Sequence, residues 1–215
     1  MALIPRSICL AGADGAGKTT QAERLVRRLT QRGVGVRVCT VWDMFDRARP
    51  GAIPFESKRD IDRFLGGLHP DARAMFLHMA MREALDRALD DRGDRVLVIV
   101  GYWLKYNATE RAYGASQTLL DHLGEAFPAP ALKLYLALDP ETSLARKDVV
   151  SGYESGMKGR DGFVAFQARV HAETTRLLER TGPWTAIDSS LPVDTVESAI
   201  AAQVDAWLAG TGAAR

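Results

Sequence analysis

Apolar and polar positions along the chain follow two different periods. Short runs in which nearly every residue is apolar, such as residues 96–100, are typical of strands covered on both faces. Longer segments carry apolar residues three and four positions apart, which predicts amphipathic helices. The predicted strands are residues 6–11, 35–41, 96–100, 132–138 and 184–187. The predicted helices are residues 18–32, 60–65, 71–92, 104–123 with a break near Gly114, a short helix that opens at Asp139, 163–180 and 193–208.

Strands that alternate with helices indicate an α/β fold. We therefore expect a five-stranded, mainly parallel sheet flanked by helices, in one domain over residues 1–215. Two segments fit neither period. Residues 42–58 contain two prolines and are predicted to form a functional loop. Residues 147–162 contain four glycines and several charges, which predicts a mobile, glycine-rich lid between two helices.

Charge and composition narrow the classes of partner. The 215 residues include 28 Lys plus Arg and 27 Asp plus Glu, so the formal net charge is +1. This balance gives no global attraction for nucleic acid or for an anionic membrane, and we expect neither as a partner. Of the 28 basic residues 22 are arginine, whose guanidinium suits local phosphate recognition.

The cysteines and the apolar runs indicate the compartment. Cys9 and Cys39 both lie in apolar segments and are interpreted as reduced core thiols. No apolar run approaches the roughly 18 residues that a membrane span requires. The expected location is the cytoplasm.

Residues Gly12 to Thr19 (GADGAGKT) match the pattern G-x-x-x-x-G-K-[ST] in full. The motif follows a predicted strand and opens a predicted helix, which is the context that a phosphate-binding loop requires. Glycines let the backbone wrap an anion, and the helix N-terminus adds partial positive charge. Lys18 is expected to reach the outer phosphates, and the Thr19 hydroxyl to ligate Mg²⁺.

Beyond this motif, the sequence resembles the thymidylate kinases, a branch of the nucleoside monophosphate kinases. The resemblance is carried by residues 8–21 (ICLAGADGAGKTTQ), residues 134–147 (LYLALDPETSLARK) and the order of the parts that follow. It implies a P-loop kinase fold, ATP and Mg²⁺ as cofactors, and phosphoryl transfer to a nucleoside monophosphate such as dTMP, giving the diphosphate and ADP.

The resemblance also implies roles for single residues. Asp14 stands where the loop carboxylate of the family meets the acceptor sugar, and Gly15 stands where some members carry an arginine. Members without that arginine supply a cation from the lid, which here holds Lys158 and Arg160, although a solvated surface loop is the alternative for these two residues. Arg160 is expected to approach the transferring phosphoryl group, and Arg146 to lie against adenine. The implied ATP-binding residues are Gly12, Asp14, Gly15, Ala16, Gly17, Lys18, Thr19, Thr20 and Arg146.

The acceptor side departs from the family pattern. The family has an Asp-Arg pair after the third strand, where this chain has Gly101 and Tyr102. Lys105 and Asn107 follow closely and are the candidates to rebuild a site for an anion or a hydroxyl. For Lys105 a position on the helix surface is an equal alternative.

Three further residues complete the predicted acceptor site, which includes Asp14. Asp43 retains a carboxylate after the second strand, as a catalytic group or as a simple cap. Arg82 aligns with an arginine that reads the acceptor base in the family. His78 precedes it by one helical turn, so both are placed to face one pocket, although a buried structural histidine is the alternative reading.

Two other functions stay open. One is a kinase of the same fold that phosphorylates a hydroxyl of a nucleoside or another small metabolite, with Asp43 as base. The other is a nucleotide-binding protein without transferase activity. A homodimer through residues 75–89 is also possible, although a buried core helix would explain the same pattern.

Overall fold

Five strands form one sheet, and each neighbouring pair runs parallel. The structure is a computed structural model that describes residues 2–45 and 55–211. The strands are β1 (Leu3–Gly12), β2 (Val36–Cys39), β3 (Val96–Val100), β4 (Ala129–Ala137) and β5 (Thr185–Asp188). The predicted α/β sheet is confirmed, and it is wholly rather than mainly parallel.

The strand order β2-β3-β1-β4-β5 places β1 at the centre of the sheet. Ile8 of β1 lies in register with Val98 of β3 and with Leu132 of β4. Helices cover both faces, so Ile8 and Val98 are fully buried and the strands read as continuous apolar runs. In such sheets ligands bind at the carboxyl ends of the strands where the order turns outward, which here is the end of β1.

Eight helices are described on the two sides of the sheet. They are α1 (Lys18–Gln31), α2 (Lys58–Gly66), α3 (Pro70–Asp91), α4 (Trp103–Ala112), α5 (Gln117–Glu125), α6 (Pro140–Ala145), α7 (Gly159–Arg180) and α8 (Val193–Thr211). The predicted helix over residues 104–123 is interrupted as expected. Gly114 has a φ of +98°, and Ser116 caps α5 by accepting a hydrogen bond from the Leu119 N–H.

The predicted lid is more structured than its glycines suggest. Residues 153–155 form a 3-10 turn, in which Tyr153 and Ser155 are buried. We call residues 151–155 the lid turn. The α7 helix begins at Gly159, four residues before the predicted start at 163, so the last part of the predicted lid is helical.

The predicted loop over residues 42–58 is described only at its two ends. Val41–Phe45 form a 3-10 helix, and α2 begins at Lys58. Residues 46–54 lie outside the described part of the chain.

Cys9 and Cys39 are both buried and unbonded, on strands that flank β3. Burial raises the pKa of both thiols, that of Cys39 to about 12. Among the described residues, no helix is long and apolar enough to cross a membrane.

Candidate active site

The loop between β1 and α1 is shaped by its glycines. Gly17 has a φ of +81° and sits in the left-handed region directly before the first residue of α1. The first turn of α1 contains no acidic residue, so no carboxylate there neutralises the positive end of the helix dipole. This end of α1 is therefore suited to bind an anion.

Two serines from other elements anchor the loop by its backbone carbonyls. The Ser143 hydroxyl, on α6, donates to the carbonyl of Asp14. The Ser189 hydroxyl, just after β5, donates to the carbonyl of Ala16 at 2.6 Å. Gly15 lies against α6, since a Cβ at this position would stand 2.6 Å from Ser143 Oγ. The backbone of the loop is thus held by residues of α6 and of the segment that follows β5.

The Lys18 ammonium turns back onto the loop. Its Nζ donates to the carbonyl of Ala13 at 2.6 Å. Burial, and then the charge of Lys105, lower the pKa of Lys18 to about 8, although Asp14 acts in the opposite direction. The positive charge of Lys18 is thus only partly offset by its surroundings, and this favours the binding of an anion beside it.

A cavity of about 400 Å³ opens beside the loop, and we call it the main cavity. Asp14, Lys18 and Thr19 line its polar end. The rest of the wall is largely apolar and aromatic, contributed by the 3-10 helix, α2, α3 and α4. These residues are Val41, Phe45, Ile61, Leu65, Leu77 and Tyr106. Cations at one end and an apolar wall suit a molecule with a phosphate and a flat organic group.

Lys105 and Asp14 form an ion pair within the main cavity. Lys105 Nζ lies 2.5 Å from Asp14 Oδ1. Burial opposes ionisation of Asp14, but Lys105 and Lys18 outweigh it and hold the pKa of Asp14 well below its usual range. Burial likewise disfavours charged Lys105, but Asp14 outweighs it and raises the pKa of Lys105. Both groups are therefore ionised at neutral pH.

A second ion pair joins the lid turn to the end of α6. Lys147 Nζ lies 3.0 Å from Glu154 Oε1, and Glu154 lines the main cavity. The charge of Lys147 also acts on both Asp14 and Lys18. Lys147 is thus a lid cation whose charge acts on the phosphate-binding loop, although it does not line the main cavity.

Arg160 has a different position from the one expected. Its guanidinium donates to the carbonyls of Lys147 and Leu144, at 2.9 and 3.4 Å. It therefore binds one carbonyl in the last turn of α6 and one just after that helix, and it does not line the main cavity. The α7 helix begins early and carries Arg160 in its first turn.

Arg146 lines a different depression, of about 480 Å³, which we call the side cavity. Its wall includes Thr20 and the segment between β5 and α8, and Arg146 donates to the carbonyl of Ser190 at 3.2 Å. Gly15, Ala16 and Gly17 lie between the two cavities, since they line the side cavity and Gly15 and Gly17 also line the main one.

Asp43 does not reach the main cavity. Its carboxylate lies 3.4 Å from Arg37 Nη2 and accepts a hydrogen bond from the Thr40 hydroxyl at 3.3 Å. The neighbouring Trp42 and Phe45 line the cavity in its place. The 3-10 winding rotates successive side chains around the axis, and this rotation directs Asp43 towards β2.

The other predicted acceptor residues also lie elsewhere. His78 is buried against Phe127, where its Nδ1 bonds the carbonyl of Ala74 and burial lowers its pKa to about 4. Arg82 pairs with Asp86 one turn further along α3. Asn107 donates to the carbonyl of Leu120 at 2.8 Å and ties α4 to α5. Of the predicted acceptor set, the structure brings only Asp14 and Lys105 together in the main cavity.

Sequence reasoning missed Ser143, Tyr153 and Glu154, and assigned no role in the loop to Lys147. Lys147 and Glu154 carry a usable signal, because two opposite charges flank a glycine-containing turn. Ser143 and Tyr153 carry none, since their roles depend on which elements pack together.

These features define a class. A parallel strand, a glycine loop and a helix present Lys18 and Thr19 to a cavity that a second charged segment borders. This is the arrangement of a P-loop phosphotransferase.

Comparison with known proteins narrows the class to a family. The chain is 33% identical over 213 residues to a thymidylate kinase of Methylococcus capsulatus (strain Bath), covering 94% of this chain and 96% of the relative. It is 29% identical to a thymidylate kinase of Synechococcus sp. (strain RCC307), covering 91% and 93%. It is also 28% identical to a thymidylate kinase of Alkalilimnicola ehrlichii, and the match covers 97% of this chain and 98% of the relative. No protein-family model matches the sequence. The chain belongs to the thymidylate kinase family and is a nucleotide kinase.

The lowered pKa of Lys18 predicts how nucleotide affinity depends on pH. Only the ammonium form attracts phosphate, so affinity for a non-hydrolysable ATP analogue should fall as pH rises through about 8. The loss should approach tenfold per pH unit above that value. Calorimetric titrations between pH 7.5 and 9.5 measure it. Lys18→Arg keeps its charge throughout this range and should show a flat profile. If affinity depended on pH in the same way in the wild-type protein and in Lys18→Arg, the role of the Lys18 ammonium in binding phosphate would be contradicted.

Proposed function

We propose that the protein transfers the γ-phosphoryl group of ATP to dTMP, giving dTDP and ADP. The main cavity carries this proposal, because Lys18, Lys105 and Asp14 stand beside a wall that contains several apolar and aromatic side chains, together with the carboxylates of Asp62 and Glu154. The named activity of relatives that match nearly the whole chain supports the same substrate.

On the donor side, the phosphates of ATP bind the loop and the N-terminus of α1, with Lys18 on the outer phosphates. Displacing the Ala13 carbonyl frees the Lys18 ammonium for them. Adenine lies in the side cavity against Arg146, whose planar guanidinium stacks on an aromatic ring. The triphosphate thus runs from the side cavity towards the main one.

The residues present fit Mg²⁺. Mg²⁺ prefers oxygen ligands and commonly keeps several waters alongside substrate phosphates. The Thr19 hydroxyl lines the main cavity in the first turn of α1, and the carboxylates of Asp14 and Glu154 line it too. Within residues 2–45 and 55–211, no three His, Cys, Asp or Glu side chains form a metal cluster. Thr19 would hold the ion together with the phosphates, where it would neutralise their charge.

On the acceptor side, Lys105 takes the place of the arginine that the family carries after its third strand. Tyr102, which stands at the position of that arginine, is buried and donates its hydroxyl to the carbonyl of Pro128, and Gly101 before it supplies no side chain. Lys105 extends from the first turn of α4 into the same space, with Asp14 holding its ammonium. The base of dTMP packs on the apolar wall.

Lys147 supplies the catalytic cation from the lid, in the role first expected of Arg160. A cation near the transferring group stabilises the charge that develops on the equatorial phosphate oxygens. Lys147 acts electrostatically on Lys18 and Asp14, whereas Arg160 is committed to the carbonyls of α6.

Two broader expectations belong to the same proposal. The enzyme works in the cytoplasm, where ATP, dTMP and Mg²⁺ are available. It forms a homodimer through α3, on which Met75 and Met79 are 49% and 47% exposed while Leu85 is buried.

The substrate is tested by coupled ADP release with ATP, Mg²⁺ and a panel of nucleoside monophosphates plus thymidine. We expect the highest kcat/KM with dTMP and no turnover of thymidine. Lys18→Ala should lower kcat/KM by about a hundredfold or more. The surface variant Arg176→Ala serves as control. Turnover of thymidine without dTMP would indicate a hydroxyl kinase, and no turnover at all would indicate nucleotide binding alone.

Lys105→Met should raise the KM for dTMP by roughly ten- to a hundredfold, because a hydrogen bond to a charged group is lost. The KM for ATP should stay within about twofold, and Lys105→Arg should recover most of the dTMP affinity. Steady-state kinetics in both substrates decide the matter. An equal rise of both KM values would argue against an acceptor role.

Lys147→Met and Arg160→Met separate the two lid cations. The first should lower kcat by about a hundredfold, since charge stabilisation at the transferring group is lost. The second should leave kcat within about threefold and lower the melting temperature slightly, because only a helix cap is removed. The reverse ranking of kcat would restore the catalytic role to Arg160.

A further inference from the structure

A buried ion pair lies behind the wall of the main cavity, between α3 and α4. Arg73 Nε donates to both carboxylate oxygens of Glu110, at 2.9 and 2.8 Å. The side chain of Glu110 is fully buried and that of Arg73 is 4% exposed. Neither residue lines the main cavity, and neither has a part in the proposed phosphoryl transfer.

The pair is connected to the lid turn through Tyr153. The Tyr153 hydroxyl donates to Glu110 Oε1 at 2.8 Å, and the residue lines the main cavity. Tyr113 adds a second link, because its hydroxyl donates to the carbonyl of Tyr153 at 2.8 Å and its ring lies 4.1 Å from the Arg73 guanidinium. A buried carboxylate therefore helps to hold the lid turn, together with Lys147 and Gln167, which contact Glu154.

The same arginine also holds a second part of the cavity wall. Arg73 Nη1 donates to the carbonyls of Leu65 and Leu68, at 3.2 and 3.3 Å, at the end of α2. Leu65 lines the main cavity. One guanidinium thus joins α2 to the lid turn, the two segments that approach the cavity from outside the sheet.

Energetics argue that this pair has more than a packing role. A buried ion pair contributes little net stability compared with apolar side chains of the same volume, because both charges must be desolvated. Its hydrogen bonds, however, are directional, because the planar guanidinium and the carboxylate hold several partner groups at fixed angles. Here those partners belong to the lid turn and to the end of α2, which both border the main cavity.

We infer that Arg73 and Glu110 are positioning residues for the acceptor, acting through Tyr153 and the end of α2. The inference rests on the proposed function for its kinetic readout. Adenine lies in the side cavity, away from Tyr153, so the network acts on acceptor affinity and leaves ATP affinity unchanged.

The test uses the full-length protein and three single variants. Tyr153→Phe removes only the hydroxyl that donates to Glu110, whereas Glu110→Gln removes the charge and replaces one acceptor oxygen by an amide group that donates. Tyr102→Phe is the matched control, since its buried hydroxyl donates to the carbonyl of Pro128 at 2.7 Å and the residue does not line the main cavity.

We expect Tyr153→Phe to raise the KM for dTMP about fivefold, the effect of one lost hydrogen bond, with the KM for ATP unchanged. Tyr102→Phe should lower the melting temperature similarly and change neither KM. The Tyr153→Phe, Glu110→Gln double variant should have a dTMP KM no higher than that of the worse single variant, because the two act through one contact. Equal changes in both KM values, or multiplied effects in the double variant, would overturn the inference.

Amide hydrogen exchange separates this outcome from failure of the proposed function. Glu110→Gln should speed exchange in the lid turn and at the end of α2 together, while Tyr102→Phe should do neither. If wild-type protein turns over no dTMP, the proposed function fails and this exchange pattern still decides the positioning role. If dTMP is turned over but the two segments respond separately or not at all, the positioning role fails and the function stands.

Discussion

The charge balance of one half-buried cluster governs the site. Lys18, Lys105 and Lys147 face the carboxylates of Asp14 and Glu154, and the two ion pairs leave Lys18 without a carboxylate of its own. Its pKa falls, because burial and the neighbouring ammonium of Lys105 both disfavour its charge. A phosphate bound at the loop would therefore add a counter-charge to the Lys18 ammonium.

The sequence predicts the sheet and the loop because their determinants are local. An unbroken apolar run is enough to identify β3, and the spacing of Gly12, Gly17 and Lys18 is enough to place a phosphate at the end of β1. Such patterns depend on backbone geometry and on burial of both sheet faces, which neighbouring residues decide. The same holds for Gly114, whose positive φ ends α4 where the sequence predicts a break.

The acceptor site could not be predicted in the same way, because it depends on how each element is rotated. His78 and Arg82 share a helix face, but packing of α3 turns that face towards Phe127 and Asp86 instead of the cavity. The spacing along a helix shows which side chains share a face, but it does not show which part of the protein that face contacts. Lys105 was recognisable only as a cation near the end of β3, and its pairing with Asp14 required the fold.

The contact between Gly15 and Ser143 limits how the catalytic cation can be supplied. Position 15 is where the family resemblance implies an arginine in some members, but here the backbone has a φ of +82° and a Cβ would stand 2.6 Å from Ser143 Oγ. Ser143 cannot simply move away, since its hydroxyl holds the carbonyl of Asp14. Acquiring the loop arginine would thus need a coordinated change at both positions. In the proposed mechanism, a single mutation therefore cannot exchange a cation supplied by the lid for one supplied by the loop.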